Sequence, residues 1–298
     1  MFIIKYRKIW YTISLLLVIV SLFAIFNYGL NWGIDFKGGS LLEVEYTDSF
    51  PGLDVLRKNV SELDFGNVVL QPTGEKGLII RLRSLSEEEH HALKEVLSVE
   101  GALTELRFDS IGPTIGKELR EKSWIAVFLV LIIIILYIAF VFRGVSRPVS
   151  SFKYGLMAVV ALFHDMMIPI GVFAFLGQRY GAEIDVLFIT AMLTIFGLSI
   201  NDTIVVFDRL RENLRRNKGN DFEETVGISI NETLTRSINT SLTTLAVLIS
   251  LFLFGGETTK YFALALIIGM TAGIYSSIFL ASPLLVTLYK LQGQKKRR

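Results

Sequence analysis

Two aspartates and a histidine fall inside runs apolar enough to exclude water. Asp202 lies in Gly197-Leu-Ser-Ile-Asn-Asp-Thr203 and is the single charged residue between Val186 and Phe207. Placing an aspartate at the centre of a membrane helix costs about 2.5–3.5 kcal/mol on insertion scales, so a functional role is the default reading. Arg236 directly precedes the uncharged run Ser237 to Gly256 and starts near the same inner level. The two side chains are therefore candidates for an ion pair. Burial and a neighbouring guanidinium pull a carboxyl's protonation in opposite directions, so proton uptake would break such a pair and release would restore it. The plainer reading makes both residues interfacial charges that serve topology or packing. His164 and Asp165 stand together near the middle of the run Tyr154 to Leu176, where they form either a relay or a local polar pair. For His164 alone, a satisfied polar residue between helices is the simpler account.

Other chemistry is excluded or weak. The chain has no cysteine, which removes thiolate metal sites, cysteine nucleophiles and disulfides. His90 and His91 sit on a charged helical stretch without partners at metal-ligand spacing and read as a solvated face. Gly112 to Glu118 (GPTIGKE) is one residue short of a phosphate loop, with Glu118 where Ser or Thr is required. No catalytic constellation, cofactor site, metal site or nucleic-acid partner is expected; the sole ligand anticipated is a transported H+ or Na+.

The elements that hold these residues follow from composition. Over 298 residues, 52% are hydrophobic and 19% charged, with a mean hydropathy of +0.53. This excludes disorder and a soluble enzyme of ordinary composition. Six membrane helices are predicted at 9–30, 123–142, 154–176, 186–207, 237–256 and 261–289. With both termini inside, Lys5, Arg7, Lys8, Arg143, Arg147, Lys153, the basic residues of 208–236 and the tail 290–298 all fall on the inner side, as the positive-inside rule requires. The net charge of +2 is thus a sorted distribution, because the outer segment from Asp35 to Lys122 holds 17 acidic against 11 basic residues. A cleaved signal peptide is the competing reading of the first span; its apolar run is too long and no small-x-small site follows. The fold class predicted is a polytopic α-helical membrane protein with a small α+β outer domain, placed at 31–122.

That outer segment reads as strand (Ser40 to Tyr46), helix (Asp54 to Leu63), strand (Asn67 to Gln71), strand (Gly77 to Arg83), helix (Ser86 to Ser98) and strand (Ala102 to Asp109). The order βαββαβ predicts a ferredoxin-like sandwich, a fold that names no function. Gly38 and Gly39 permit a tight turn with φ > 0 before the first strand, and Gly112-Pro113 marks the junction into the second span. Phe222, Val226, Ile230, Leu234 and Ile238 recur every four residues and predict an amphipathic helix lying on the inner surface ahead of the fifth span. Gly269 and Gly273 in the sixth span form a GxxxG pair suited to close helix packing within the bundle.

Five segments together resemble the SecD/SecF family of protein-export membrane proteins, within the resistance-nodulation-division transporter superfamily. They are Gly33-Ile-Asp35-Phe-Lys-Gly-Gly39, Phe108 to Gly116, Ala161-Leu-Phe-His-Asp165, Gly197 to Asn213, and Thr235 to Thr244. The resemblance implies a subunit that works with a separate SecD and the Sec protein-conducting channel in the bacterial cytoplasmic membrane. It also implies that unfolded secretory polypeptides are drawn outward by a proton or sodium gradient, with Asp202 and Arg236 as the ion-coupling pair and membrane lipids as surroundings. A small-molecule or lipid efflux transporter of the same superfamily is the alternative, and a structural assembly factor a third reading. The outer segment is small for the cavity that efflux would need.

Overall fold

Alternation sets the outer unit. In β1 (Gly39–Tyr46), Leu42, Val44 and Tyr46 are buried. It is followed by α2 (Leu53–Ser61), β2 (Val69–Thr73), β3 (Gly77–Leu82), α3 (Glu87–Ser98) and β4 (Leu103–Ile111); α1 is the helix Arg7–Tyr28 before this unit. The computed structural model describes residues 2–141 and 149–295. Phe142, Arg143, Arg147 and Lys296 to Arg298, used above for topology, lie outside them. The chain divides into two compact units, with Trp32–Ile125 forming one and the remaining helices the other.

Within Trp32–Ile125 the strands run β2-β3-β1-β4, each antiparallel to its neighbours, which is the order of a ferredoxin-like sandwich. Leu42, Val44, Leu78 and Ile80 meet Leu56, Val60, Leu93 and Leu97 in one core. The Tyr46 hydroxyl donates to the Leu97 carbonyl at 3.3 Å, and burial pushes this phenol up to about 12. A bulge between Glu43 and Val44 shifts β1 against β4. Ser86 caps α3 through a reciprocal box: Glu89 N–H donates to Ser86 Oγ at 3.3 Å and Ser86 N–H to Glu89 Oε2 at 2.9 Å.

The Gly-Gly turn is fixed by close approach. Gly38 has φ +79° and Gly39 φ +140°. A Cβ on Gly38 would fall 2.9 Å from Pro113 Cα, and one on Gly39 would fall 2.7 Å from the Leu82 carbonyl oxygen. Gly33 opens the helical turn Ile34–Lys37, which carries Asp35 in its first turn. Gly112 has open space around it, so its part in the junction is its place before Pro113, the first residue of α4.

Six helices are long and apolar enough to cross a membrane. They are α1, α4 (Pro113–Val141), α5 (Ser151–Tyr180), α6 (Val186–Arg215), α7 (Phe222–Phe254) and a sixth made of α8 (Glu257–Ser276), one π turn (Ser277–Ala281) and α9 (Ser282–Lys295). The stripe Phe222, Val226, Ile230 belongs to α7 itself and packs in a core with Phe207, Leu210, Tyr154 and Leu285. The predicted surface-lying helix is therefore corrected: an apolar stripe looks the same whether it meets lipid or protein, and here it meets protein. At the same end, Glu223 accepts from Arg7 at 2.5 Å and pairs with Lys290, tying α7 to α1 and α9.

Small residues set the closest packing. A Cβ on Gly171 would fall 2.5 Å from Ser21 Cα, so α5 and α1 pack backbone to backbone. Gly269 and Gly273 of α8 instead make room for side chains of α6, Ile195 and Ser199 respectively. The GxxxG pair is thus spent on intramolecular packing.

Candidate functional site

α6 carries the site because it is polar on two adjacent faces. Ser199 and Thr203 are buried towards the sixth span, while Asp202 lies about 60° round the helix from Ser199 and is half-buried. Asp202 Oδ2 accepts one hydrogen bond, from Ser241 Oγ of α7 at 3.3 Å.

The anticipated ion pair between Asp202 and Arg236 is not formed. Arg236 is exposed and lines a cavity of about 490 Å³ with Asp208, Arg209, Glu212, Glu232 and Thr233. The reason is helical geometry. Arg236 lies five residues before Ser241, about 7.5 Å along α7 and about 140° round it, so the face of α7 that reaches Asp202 is not the one that carries the guanidinium. Glu232 in the same cavity accepts from Arg209 at 2.6 Å, Asn213 at 2.8 Å and Lys218 at 3.0 Å.

Asp165 is the more deeply enclosed carboxyl, with no exposed surface. Its Oδ2 accepts from Ser199 Oγ at 2.6 Å and Ser276 Oγ at 2.7 Å, and its Oδ1 lies 3.0 Å from His164 Nδ1. One side chain of α5 thus holds α6 and α8 together. Just below, Thr203 Oγ1 and Ser277 Oγ are 3.0 Å apart, and Ser277 Oγ donates to the Ser199 carbonyl at 3.4 Å. Ser277 is the first residue of the π turn, where the wider helix leaves backbone groups to be met by side chains such as Ser282 Oγ, 3.3 Å from the Ser277 carbonyl.

The structure therefore brings His164, Asp165 and Gly273 into one buried layer, with Asp202 on the adjoining face of α6 and Arg236 apart. Ser199, Ser241, Ser276, Ser277 and Thr203 complete the arrangement, and sequence reasoning missed their role. The signal available was a run of hydroxyls beside small residues in membrane helices, at the spacing that lets them hydrogen-bond across a close contact. His90 corrects a reading in the outer unit. It is buried, its ring stacks on Phe108 at 3.7 Å between centroids, and Nε2 lies 3.3 Å from Glu105 Oε2. His91 alone is the solvated member. Among the described residues no group of three or more His, Asp and Glu side chains is arranged to hold a metal.

Residues 91–291 match the family model described as protein export membrane protein SecD/SecF, C-terminal, and residues 23–49 match the SecD/SecF GG motif. The chain belongs to the SecD/SecF family. Relatives named protein translocase subunit SecF include one from Thermobaculum terrenum, 42% identical over 96% of this chain and 93% of its own. Another, from Haemophilus influenzae, is 36% identical over 93% and 82%. Among solved structures, the crystal structure of SecDF from Thermus thermophilus, titled a translocon-associated membrane protein, matches with TM-score 0.84 at 33% identity. It covers 96% of this chain, which spans 38% of that longer SecDF chain. The same coverages apply to a SecDF structure in a super-membrane-facing form, with TM-score 0.67 and 34% identity. The GG motif of the SecD/SecF family is here the turn at Gly38-Gly39 held against Pro113. The C-terminal model spans all the polar residues of the helical site.

Proposed function

We propose that this multi-pass membrane protein is an accessory subunit of protein translocation that couples a proton or sodium gradient to export, in partnership with a separate SecD. The names of its relatives and the likeness to SecDF support the export role. Charge sorting supports a cytoplasmic membrane location with both termini inside and Trp32–Ile125 outside. The protein-conducting channel and the unfolded secretory chain are its further partners in this reading.

One observation carries the coupling. Asp202 is half-buried in an otherwise uncharged stretch of α6 and, among the described residues, is held by one 3.3 Å hydroxyl bond. A carboxyl so lightly committed can gain or lose an ion without dismantling a network, and loss of the bond to Ser241 loosens α7 from α6 at that level while Glu232 still ties the two helices through Arg209 and Asn213. Ion binding moves the helices only through different affinities for two arrangements. Arg236 then acts from the polar cavity on the adjacent face of α7, as a nearby positive charge rather than a bonded partner.

The test is Asp202→Asn, which keeps an acceptor for Ser241 and removes the ionisable group. Assembly with SecD is expected to persist while the gradient-dependent part of export into inverted membrane vesicles is lost. Export at wild-type level that still responds to collapse of the gradient would remove Asp202 from the mechanism. Capture of lipids or drugs in place of secretory chains on crosslinking would favour the efflux alternative.

A further inference from the structure

The hydrogen bonds around Asp165 suit one assignment of the hydrogen atoms, an ionised carboxylate beside a neutral imidazole protonated on Nδ1. Two hydroxyls approach Oδ2 at 2.6 and 2.7 Å, the range of an O–H donor on an ionised oxygen. Both lone pairs of Oδ2 are then taken, and the carboxylate needs a donor at Oδ1. His164 Nδ1, 3.0 Å away, supplies it. With the hydrogen on Nδ1, the free lone pair of a neutral imidazole is on Nε2. That atom is buried, and it has no hydrogen-bond partner among the described residues. The side chain is 3% exposed, so the orphan acceptor is a property of the packed interior and not of a surface ring.

Among the described residues, Asp165 is the charged partner of His164. From α8, Tyr275 faces the imidazole with ring centroids 5.8 Å apart. Its hydroxyl donates to the Trp10 carbonyl of α1 at 2.8 Å and accepts from Ser14 at 3.3 Å. α6 contributes Ser199, through Asp165. The titratable or charged groups facing His164 are therefore Asp165 on its own helix and Tyr275 across from it; α1 and α6 present hydroxyls and a carbonyl.

We propose that His164 and Asp165 form a second proton-binding site of this protein, with the proton taken up on Nε2 of His164. The lone pair of Nε2 accepts one proton from the aqueous phase, no bond breaks, and a carboxylate beside a neutral ring becomes a carboxylate–imidazolium pair. The net charge of the site goes from −1 to zero, and every hydrogen bond already present is kept. The site rests on the ion-coupled reading for its use and not for its chemistry: it and Asp202 load neighbouring faces of α6, one through Ser199 and one through Ser241.

The chain contains only three histidines, which makes the proposal directly testable by nitrogen NMR of histidine-labelled full-length protein in lipid vesicles. Subtraction with His164→Gln assigns the signal. On acidification across the range in which the protein stays folded, Nε2 of His164 is expected to pass from the unprotonated to the protonated state in one step. In Asp165→Asn that step is expected to vanish from this range, because no carboxylate remains to hold the imidazolium; in Asp202→Asn it should persist. A wild-type His164 that stays in one state throughout overturns the proposal, as does a wild-type protein in which none of the three histidines changes state. So does a step unchanged in Asp165→Asn, or one driven by added sodium at constant pH. If Asp202→Asn exports like the wild type while the His164 step is intact, the coupling role of Asp202 fails and the second site stands.

Discussion

Glu89 shows how much one side chain can be asked to do. It closes the capping box on Ser86 and accepts two bonds from Arg83, at 2.5 and 3.0 Å. These contacts, the guanidinium first and the Ser86 backbone next, hold its carboxyl down at about 2 from an ordinary 4.5. A carboxyl depressed on folding adds stability that is full above its unfolded pKa and lost as pH falls through the folded one. Amide exchange at the start of α3 should therefore quicken as pH drops from about 4.5 to about 2, after correction for intrinsic rates. Glu89→Gln should show most of that loss already at neutral pH and little further change on acidification. The box was legible because Ser86 and Glu89 have the right spacing. The burial of His90, the next residue after Glu89, was not. Its neighbours in sequence are charged, and only the sheet brings Phe108 and Glu105 to its ring. Asp202, Asp165 and His164 stood out by being polar in apolar runs and Arg236 by bordering one, yet which of them touch depended on the rotation of α7 and on hydroxyls that look ordinary in a sequence.

At the scale of elements, the turn residues and strand alternation were readable to within a few positions because they are local. β1 was expected from Ser40 and begins at Gly39; β4 was expected to end at Asp109 and runs to Ile111. Helix ends were harder, since a span predicted from hydropathy stops at the first charge while the backbone does not. α6 continues through Asp208 and Arg209 to Arg215, and α7 begins at Phe222, well before the uncharged run. The glycines give the sharpest element-scale prediction. Ser199 is held between Asp165 and the gap left by Gly273, where an added Cβ would come within 3.0 Å of Ser199 Cβ. Overpacking of such a contact typically costs about 1–3 kcal/mol. Gly273→Leu should thus lower the thermal midpoint in detergent and should separate Ser199 from Asp165, whereas Gly197→Leu, on a position with open space around it, should leave the midpoint near that of the wild type.

The helical unit as a whole is held unevenly, and this bears on how an ion could move it. α5, α6 and α8 meet at Asp165 through two short hydroxyl bonds and at two glycine contacts. α6 and α7 meet near Asp202 through one bond of 3.3 Å, and are tied again further along, where Glu232 accepts from Arg209 and Asn213 and Ser229 from Asn213. The boundary that yields on ion binding should be the second, at the level of Asp202 and beyond it away from Glu232. Shifting a two-state equilibrium from 1:99 to 99:1 takes about 5.5 kcal/mol of differential affinity, so one aspartate acting on a lightly bonded boundary is better placed than one acting on a clamped trio. The absence of cysteine allows spin labels to be placed without background. A pair at Thr194 of α6 and Val247 of α7, both exposed, reports the yielding α6–α7 boundary; Thr194 with exposed Thr271 of α8 reports the clamped one. Asp202→Asn, a mimic of the neutral carboxyl, is expected to shift or broaden the Thr194–Val247 distance distribution in vesicles and to leave Thr194–Thr271 unchanged. A shift confined to the α6–α8 pair would place the moving boundary at Asp165 and reverse the assignment of hinge and clamp.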